Sequence, residues 1–309
     1  MGCETDAAIV SMIIAAAMGL VIAVILFDPQ PAFAWGPVTH VALGIQVLAT
    51  VITPAHALQA ALAKLPEVFL YGSLAPDIVQ GRRLQSRLRR HSHNWSTGLG
   101  LLESARGERE KTFAYGYLAH LAADVVAHNF FLPARYVGRF DRGLASHIYN
   151  EACFDSLYEA DYRDLLLKLI GLDFSALDAI LNRAIDSPLV SFPAHRMIFE
   201  GGLKRIRQWH RVIRAIGGDA GIERAEAELF ALASCGAIAG TLDHRGEAPC
   251  CRYDPMGAEA VRSALASRRS LQRLTRIGPE AKKNAQELAA SMLSDLLAHL
   301  KQTPFGGPA

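Results

Sequence analysis

Tyr117-Leu118-Ala119-His120-Leu121-Ala122-Ala123-Asp124-Val125-Val126-Ala127-His128 sets three residues of metal-ligand type at i, i+4 and i+8. At 100° per residue they fan over only about 80° of one helix face, with Leu, Ala and Val between them. One His on an apolar face is usually a hydrogen-bonded core residue. Three ligand-type groups in register on an apolar stripe point instead to a cation, because burying them unpaired would cost roughly several kcal/mol. A His and a carboxylate one turn apart can reach the same ion, and carboxylate oxygens can bridge two. The spacing therefore suits a binuclear or larger zinc site.

The same helical period runs outward in both directions. It predicts helices near 38–50, 55–64, 95–105, 108–131, 144–170, 174–183, 193–216, 222–238, 258–276 and 279–300, with strand-like alternation scarce. Asp173 and Ser191 stand in capping positions, and Gly171, Gly217, Gly218 and the Gly278-Pro279 pair punctuate the helices. The fold class is all-α, a multi-helix bundle with the metal site in its core. The helix near 144 offers His147 and Glu151, again at i+4. Alone this pair would read as a surface contact. Beside the first helix it fits the way bundle-core metal sites are built, from facing helices that each present ligands at one-turn spacing.

Three more elements carry chemistry. Tyr71-Gly72-Ser73-Leu74-Ala75-Pro76-Asp77 puts a carboxylate just after a turn. His91 and His93 follow a basic stretch of Arg82, Arg83, Arg87, Arg89 and Arg90, which reads first as a solvated face. Trp35 and His40 lie at the start of the first helix. His56, His195, His210, His244 and His299 fit no ligand pattern. From about residue 219 the chain becomes amphipathic helices expected to pack on, or cover, a metal-bearing domain at 35–218.

Composition narrows the class. The chain has 309 residues, 32 Lys+Arg against 30 Asp+Glu, and 51% hydrophobic residues; mean hydropathy is +0.16. These values exclude a disordered chain, and near-neutral charge argues against a duplex nucleic-acid binder. Much of the apolar excess sits in residues 1–34. Residues 7–27 carry no charge and have the length of a membrane-spanning helix, but Ala32-Phe33-Ala34 forms an A-x-A cleavage signal. The reading is an export signal at 1–34 with cleavage after Ala34, against the alternative of an uncleaved membrane anchor. Cleavage removes Glu4, Asp6 and Asp28 and no Lys or Arg, raising the net charge from +2 to +5. Cys153, Cys235, Cys250 and Cys251 show no metal-binding spacing, and disulfides or free thiols both remain open.

In this order, Trp35, His40, Asp77, His93 (or His91), His120 with Asp124, His128, and His147 with Glu151 resemble the zinc-dependent phospholipase C family, which is related to zinc-dependent single-strand nucleases. The resemblance implies up to three zinc ions. Asp77, His93, His120 and Asp124 would hold one, and His128, His147 and Glu151 a second. Trp35 and His40 would hold a third, bridged by Asp124, with Trp35 ligating through its own carbonyl oxygen and the α-amino nitrogen freed by cleavage. Asp77 would also serve as the catalytic proton acceptor. The implied activity is hydrolysis of a phospholipid phosphodiester, with contact at a membrane surface. Departures are Ile78 and Val38 where the family's choline-binding Tyr and Glu stand, and only three residues between Asp124 and His128. The rival substrate is single-stranded nucleic acid, for which Trp95, Tyr71, Phe130 and Phe131 are candidate stacking platforms. A rival of another class is an anchored helical protein whose metal site is structural or inactive.

Overall fold

A computed structural model describes residues 35–50, 56–79, 90–142, 147–186, 191–217 and 222–305. Among them every regular element is helical and no strand occurs. The leader at 1–34 and most of the basic stretch, 82–89, lie outside the described residues. The elements are α1 (Pro37–Thr50), α2 (His56–Lys64), α3 (Pro66–Ile78), α4 (Trp95–Ser104), α5 (Glu108–Val126), a π-helical turn (Ala127–Phe131) and α6 (Leu132–Gly138). They continue with α7 (His147–Ile170), α8 (Ser175–Ala184), α9 (Phe192–Lys204), α10 (Ile206–Gly217), α11 (Arg224–His244), α12 (Ala258–Thr275) and α13 (Pro279–Gln302).

The hub is α5, buried at every position from Thr112 to Val126 and walled by α3, α4 and α11. Its closest neighbour is α3. A Cβ added at Gly116 would lie 2.0 Å from the Phe69 carbonyl oxygen, and one at Gly72 would lie 2.3 Å from that of Phe113. Only glycine allows two helix backbones to meet so closely. The helices run in the same direction, since Gly72 meets Gly116 while Asp77, further on, meets His120.

The structure departs from the expected element bounds in informative ways. Asp77 was expected after a turn, yet it belongs to the last turn of α3, a helix that the glycine and proline of its sequence conceal. The helix expected at 108–131 continues through a π turn into α6. Pro133 lacks the N–H that would bond the Asn129 carbonyl, and the chain widens just before it. The helix expected at 193–216 breaks at Arg205, whose N–H turns back to Gly202, in a stretch weakened by Gly201 and Gly202. Ser191 does precede α9 but makes no side-chain cap, whereas Asp173 accepts from the Ser175 N–H at 2.9 Å.

Trp35 is sealed in the core against Phe131 and Phe154, at ring distances of 4.7 and 4.1 Å, and its indole N–H donates to Ser234 on α11 at 3.2 Å. The C-terminal helices share this core: α11 packs on α5 and α1, and α12 and α13 pack on α6. By length and composition alone Arg224–Glu247 could cross a membrane. Here Phe230, Ala233 and Ala237 are instead buried in the core. Cys153, Cys235, Cys250 and Cys251 form no disulfide among the described residues.

The entry to α1 is fixed by Asp155 of α7. Its carboxylate accepts from the Thr39 N–H at 2.7 Å and the Thr39 hydroxyl at 2.9 Å. His210, which fitted no ligand pattern, is buried behind it, 3.1 Å from both Asp155 and Glu159. Burial pulls the imidazole pKa down, but these two carboxylates outweigh it and hold the value above the ordinary 6.5. The stabilisation is thus complete below pH 6.5 and is lost as pH rises through the raised folded value. Denaturant midpoints of the native chain and His210→Gln should differ most near pH 6 and converge toward pH 9. An equal gap at both pH values would contradict this role.

Candidate metal centre

Five of the side chains singled out in the sequence converge in a buried cluster. His40 comes from the first turn of α1, Asp77 from the last turn of α3, His93 from the turn before α4, and His120 and Asp124 from α5. The Nε2 atoms of His93 and His120 lie 3.0 Å apart. Asp77 Oδ1 is 3.2 Å from His93 and 3.8 Å from His120, and Asp124 Oδ2 is 3.6 and 3.3 Å from the same two atoms. Four donors at tetrahedral corners around zinc, at bond lengths of 2.0 to 2.1 Å, would stand roughly 3.3 Å apart. Five of the six separations in this quartet fall between 3.0 and 3.8 Å. These residues fit the group.

Backbone groups orient the donors. His120 Nδ1 donates to the Ser73 carbonyl at 2.8 Å, which fixes the proton there because a carbonyl can only accept, and leaves Nε2 as the lone-pair atom. Ser92 Oγ lies 2.8 Å from His93 Nδ1, and the Tyr117 hydroxyl donates to the Ser92 carbonyl, so α5 also holds the turn that carries His93. No side-chain pattern announces carbonyls in this role, and sequence reasoning missed them.

His120 is common to two groups of candidate ligands, His40 with His120 and Asp124, and Asp77 with His93 and His120. Asp124 lies beside both, its Oδ2 3.6 Å from His93. Asp124 Oδ1 faces His40 Nε2 at 3.3 Å, the His40 ring stacks on His120 at 3.9 Å, and neither Asp124 oxygen nor His40 Nε2 makes a formed hydrogen bond. Such orphaned buried atoms are what a cation would satisfy. Burial pushes the Asp124 carboxyl upward, but the close approach of the His120 and His40 imidazoles, with His128 adding to them, holds it well below the ordinary range. Burial, reinforced by His120, lowers the His40 imidazole below its ordinary value. Both groups are thus in ligand form, a carboxylate and a neutral imidazole.

Donor counting separates the two groups. His120 Nε2 has one lone pair, so it could serve only one ion. A second ion at His40 would have only His40 and Asp124 Oδ1 from this set and would need further ligands.

The remaining candidates lie along the chain from this cluster. His128 is buried in the π turn and donates from Nδ1 to the Pro255 carbonyl at 2.6 Å. Glu151 is buried on the first turns of α7. His147 opens α7, and its side chain lies outside the described residues. His93, not His91, enters the cluster. Trp35 contributes its ring to the core. The stacking candidates are engaged in packing: Tyr71 lies on Phe174 at 4.0 Å, Phe130 and Phe131 are buried, and Trp95 donates to the Tyr253 carbonyl at 2.9 Å.

A family model described as "Zinc dependent phospholipase C" matches residues 39–210, more than half of the chain. No curated protein and no solved structure matches.

Proposed function

Since the chain belongs to the zinc-dependent phospholipase C family, we propose that it is an exported phosphodiesterase that hydrolyses the headgroup phosphodiester of a phospholipid. The observation that carries this reading is the buried cluster of Asp77, His93, His120 and Asp124, in which each histidine Nε2 stands within 3.8 Å of both carboxylates. Asp77, His93, His120 and Asp124 would hold one zinc ion, and His128, His147 and Glu151 a second. His40 and Asp124 would hold a third, together with the carbonyl of Trp35 and its α-amino nitrogen once the leader is removed after Ala34. When bound, zinc supplies an acidified water near neutral pH and positive charge against the phosphate oxygens.

The chain's own groups do the rest. Ser73 and Pro255 hold the proton on the outer nitrogen of His120 and His128, placing the lone pair on each inner nitrogen. Asp124, ionised, would offer an oxygen to each of two neighbouring ions. Asp77 receives the proton released on attack. The membrane is met from outside, and a net charge of +5 on the processed chain favours approach to phosphate-bearing surfaces.

Processed, zinc-loaded protein should cleave phosphatidylcholine or phosphatidylethanolamine to diacylglycerol and a phosphorylated headgroup. Activity confined to single-stranded DNA would replace this reading with the nuclease one. An intact Met1 on material from the native host, with no hydrolysis of either substrate, would favour the anchored protein.

A further inference from the structure

His128 is held by a part of the chain that lies beyond the family match. Three consecutive carbonyls of the turn before α12 receive side chains from the metal-bearing half. Trp95 Nε1 donates to Tyr253 O at 2.9 Å, Asn129 Nδ2 to Asp254 O at 2.9 Å, and His128 Nδ1 to Pro255 O at 2.6 Å. The turn is itself rigid. The Asp254 carboxylate accepts from the N–H groups of Met256 at 3.0 Å and Ala258 at 3.1 Å, and Gly257 N–H returns to Asp254 O at 2.9 Å. Gly257 has φ of 53°, and a Cβ there would stand 2.6 Å from both the Cβ and the carbonyl oxygen of His128. Position 257 thus requires glycine twice over, for its left-handed backbone and for its approach to His128.

We propose that the turn Tyr253–Gly257 is the positioning device for His128, fixing its imidazole with the proton on Nδ1 and Nε2 presented as a metal donor. This rests on the reading that His128 binds zinc. The placement explains how the family-divergent spacing of three residues between Asp124 and His128 is accommodated. The His sits in a π turn, which widens the helix, and the ring direction is set from outside by the Pro255 carbonyl instead of by the helix alone. Trp95 and Asn129 are positioning residues that hold the turn against the site, and their effect reaches the metal through His128.

The test uses the full processed chain with zinc as the probe. In zinc-free protein, long-range nitrogen-15 NMR should show His128 as the Nδ1–H tautomer. Trp95→Phe and Asn129→Ala should each keep the native helical circular dichroism and weaken one class of zinc by roughly tenfold to a hundredfold, the range seen when an outer partner of a ligating His is lost. Gly257→Ala should do the same more severely, and should it fail to fold, the other two variants decide the matter. An Nε2–H tautomer, zinc affinities unchanged in both Trp95→Phe and Asn129→Ala, or parallel loss of every ion would overturn the proposal. His128→Ala separates the two levels. A full zinc complement in that variant removes His128 from the metal reading itself, whereas loss of one ion there with none in the turn variants rejects only the turn's role.

Discussion

Asp124→Asn is expected to abolish phosphodiester hydrolysis to within roughly a thousandth of the native rate, the equivalent of about 4 kcal/mol of transition-state stabilisation. The substitution is isosteric and changes little in the packing. It replaces one acceptor oxygen by an N–H donor at a position where both oxygens face imidazole Nε2 atoms, 3.3 Å from His40 on one side and 3.3 Å from His120 on the other. Zinc content should fall, since this carboxylate stands within 3.6 Å of His40, His93 and His120, and the rise in melting temperature that zinc gives the native protein should shrink accordingly. Native zinc stoichiometry together with native turnover in Asp124→Asn would remove Asp124 from the centre of the site.

Gly116→Val is expected to destabilise the protein by about 3 to 5 kcal/mol, at the far end of single-substitution effects. The new side chain has nowhere to go, because even a Cβ would lie 2.0 Å from the Phe69 carbonyl and 2.9 Å from the Gly72 Cα. The obstacles are backbone atoms, which no rotamer change can clear, so α3 and α5 must separate. Separation also carries Asp77 away from His120, and zinc affinity should fall together with the denaturation midpoint. Gly100→Ala is the control. Gly100 lies in α4 with nothing near its missing Cβ, and helix propensity there predicts a gain of up to about 1 kcal/mol. Equal effects at the two positions would mean that the close approach of α3 and α5 does not hold the core together.

The helices of the second half and the ligand face of α5 were legible because amphipathic spacing and chemically distinctive residues write themselves into the sequence. Asp77, His93, His120, Asp124 and His40 could be picked out for the same reason. Helix α3 was not legible as a helix. Buried along its length from Val68 to Ile78, it has no polar face to set a period, and it carries Gly72 and Pro76 where a turn would carry them. Its glycine serves a close approach and its proline falls in the final turn. The choice between His91 and His93 needed coordinates as well, because both flank the same short turn and only the fold aims one of them inward. The carbonyls of Ser73, Ser92 and Pro255 were beyond sequence reasoning altogether, since every residue carries one and position alone makes them useful.

Two indoles end on acceptors far along the chain: Trp35 on the Ser234 hydroxyl and Trp95 on the Tyr253 carbonyl. Each is a chromophore stationed on the seam between the metal-bearing helices and the last third of the protein. Emission from Trp35, sealed from water, should be blue, and Trp95, only partly covered, should report the solvent nearer the surface. Lifting the C-terminal helices would break both hydrogen bonds and wet both rings, so the closing of that seam can be followed by light alone, in real time and without any label.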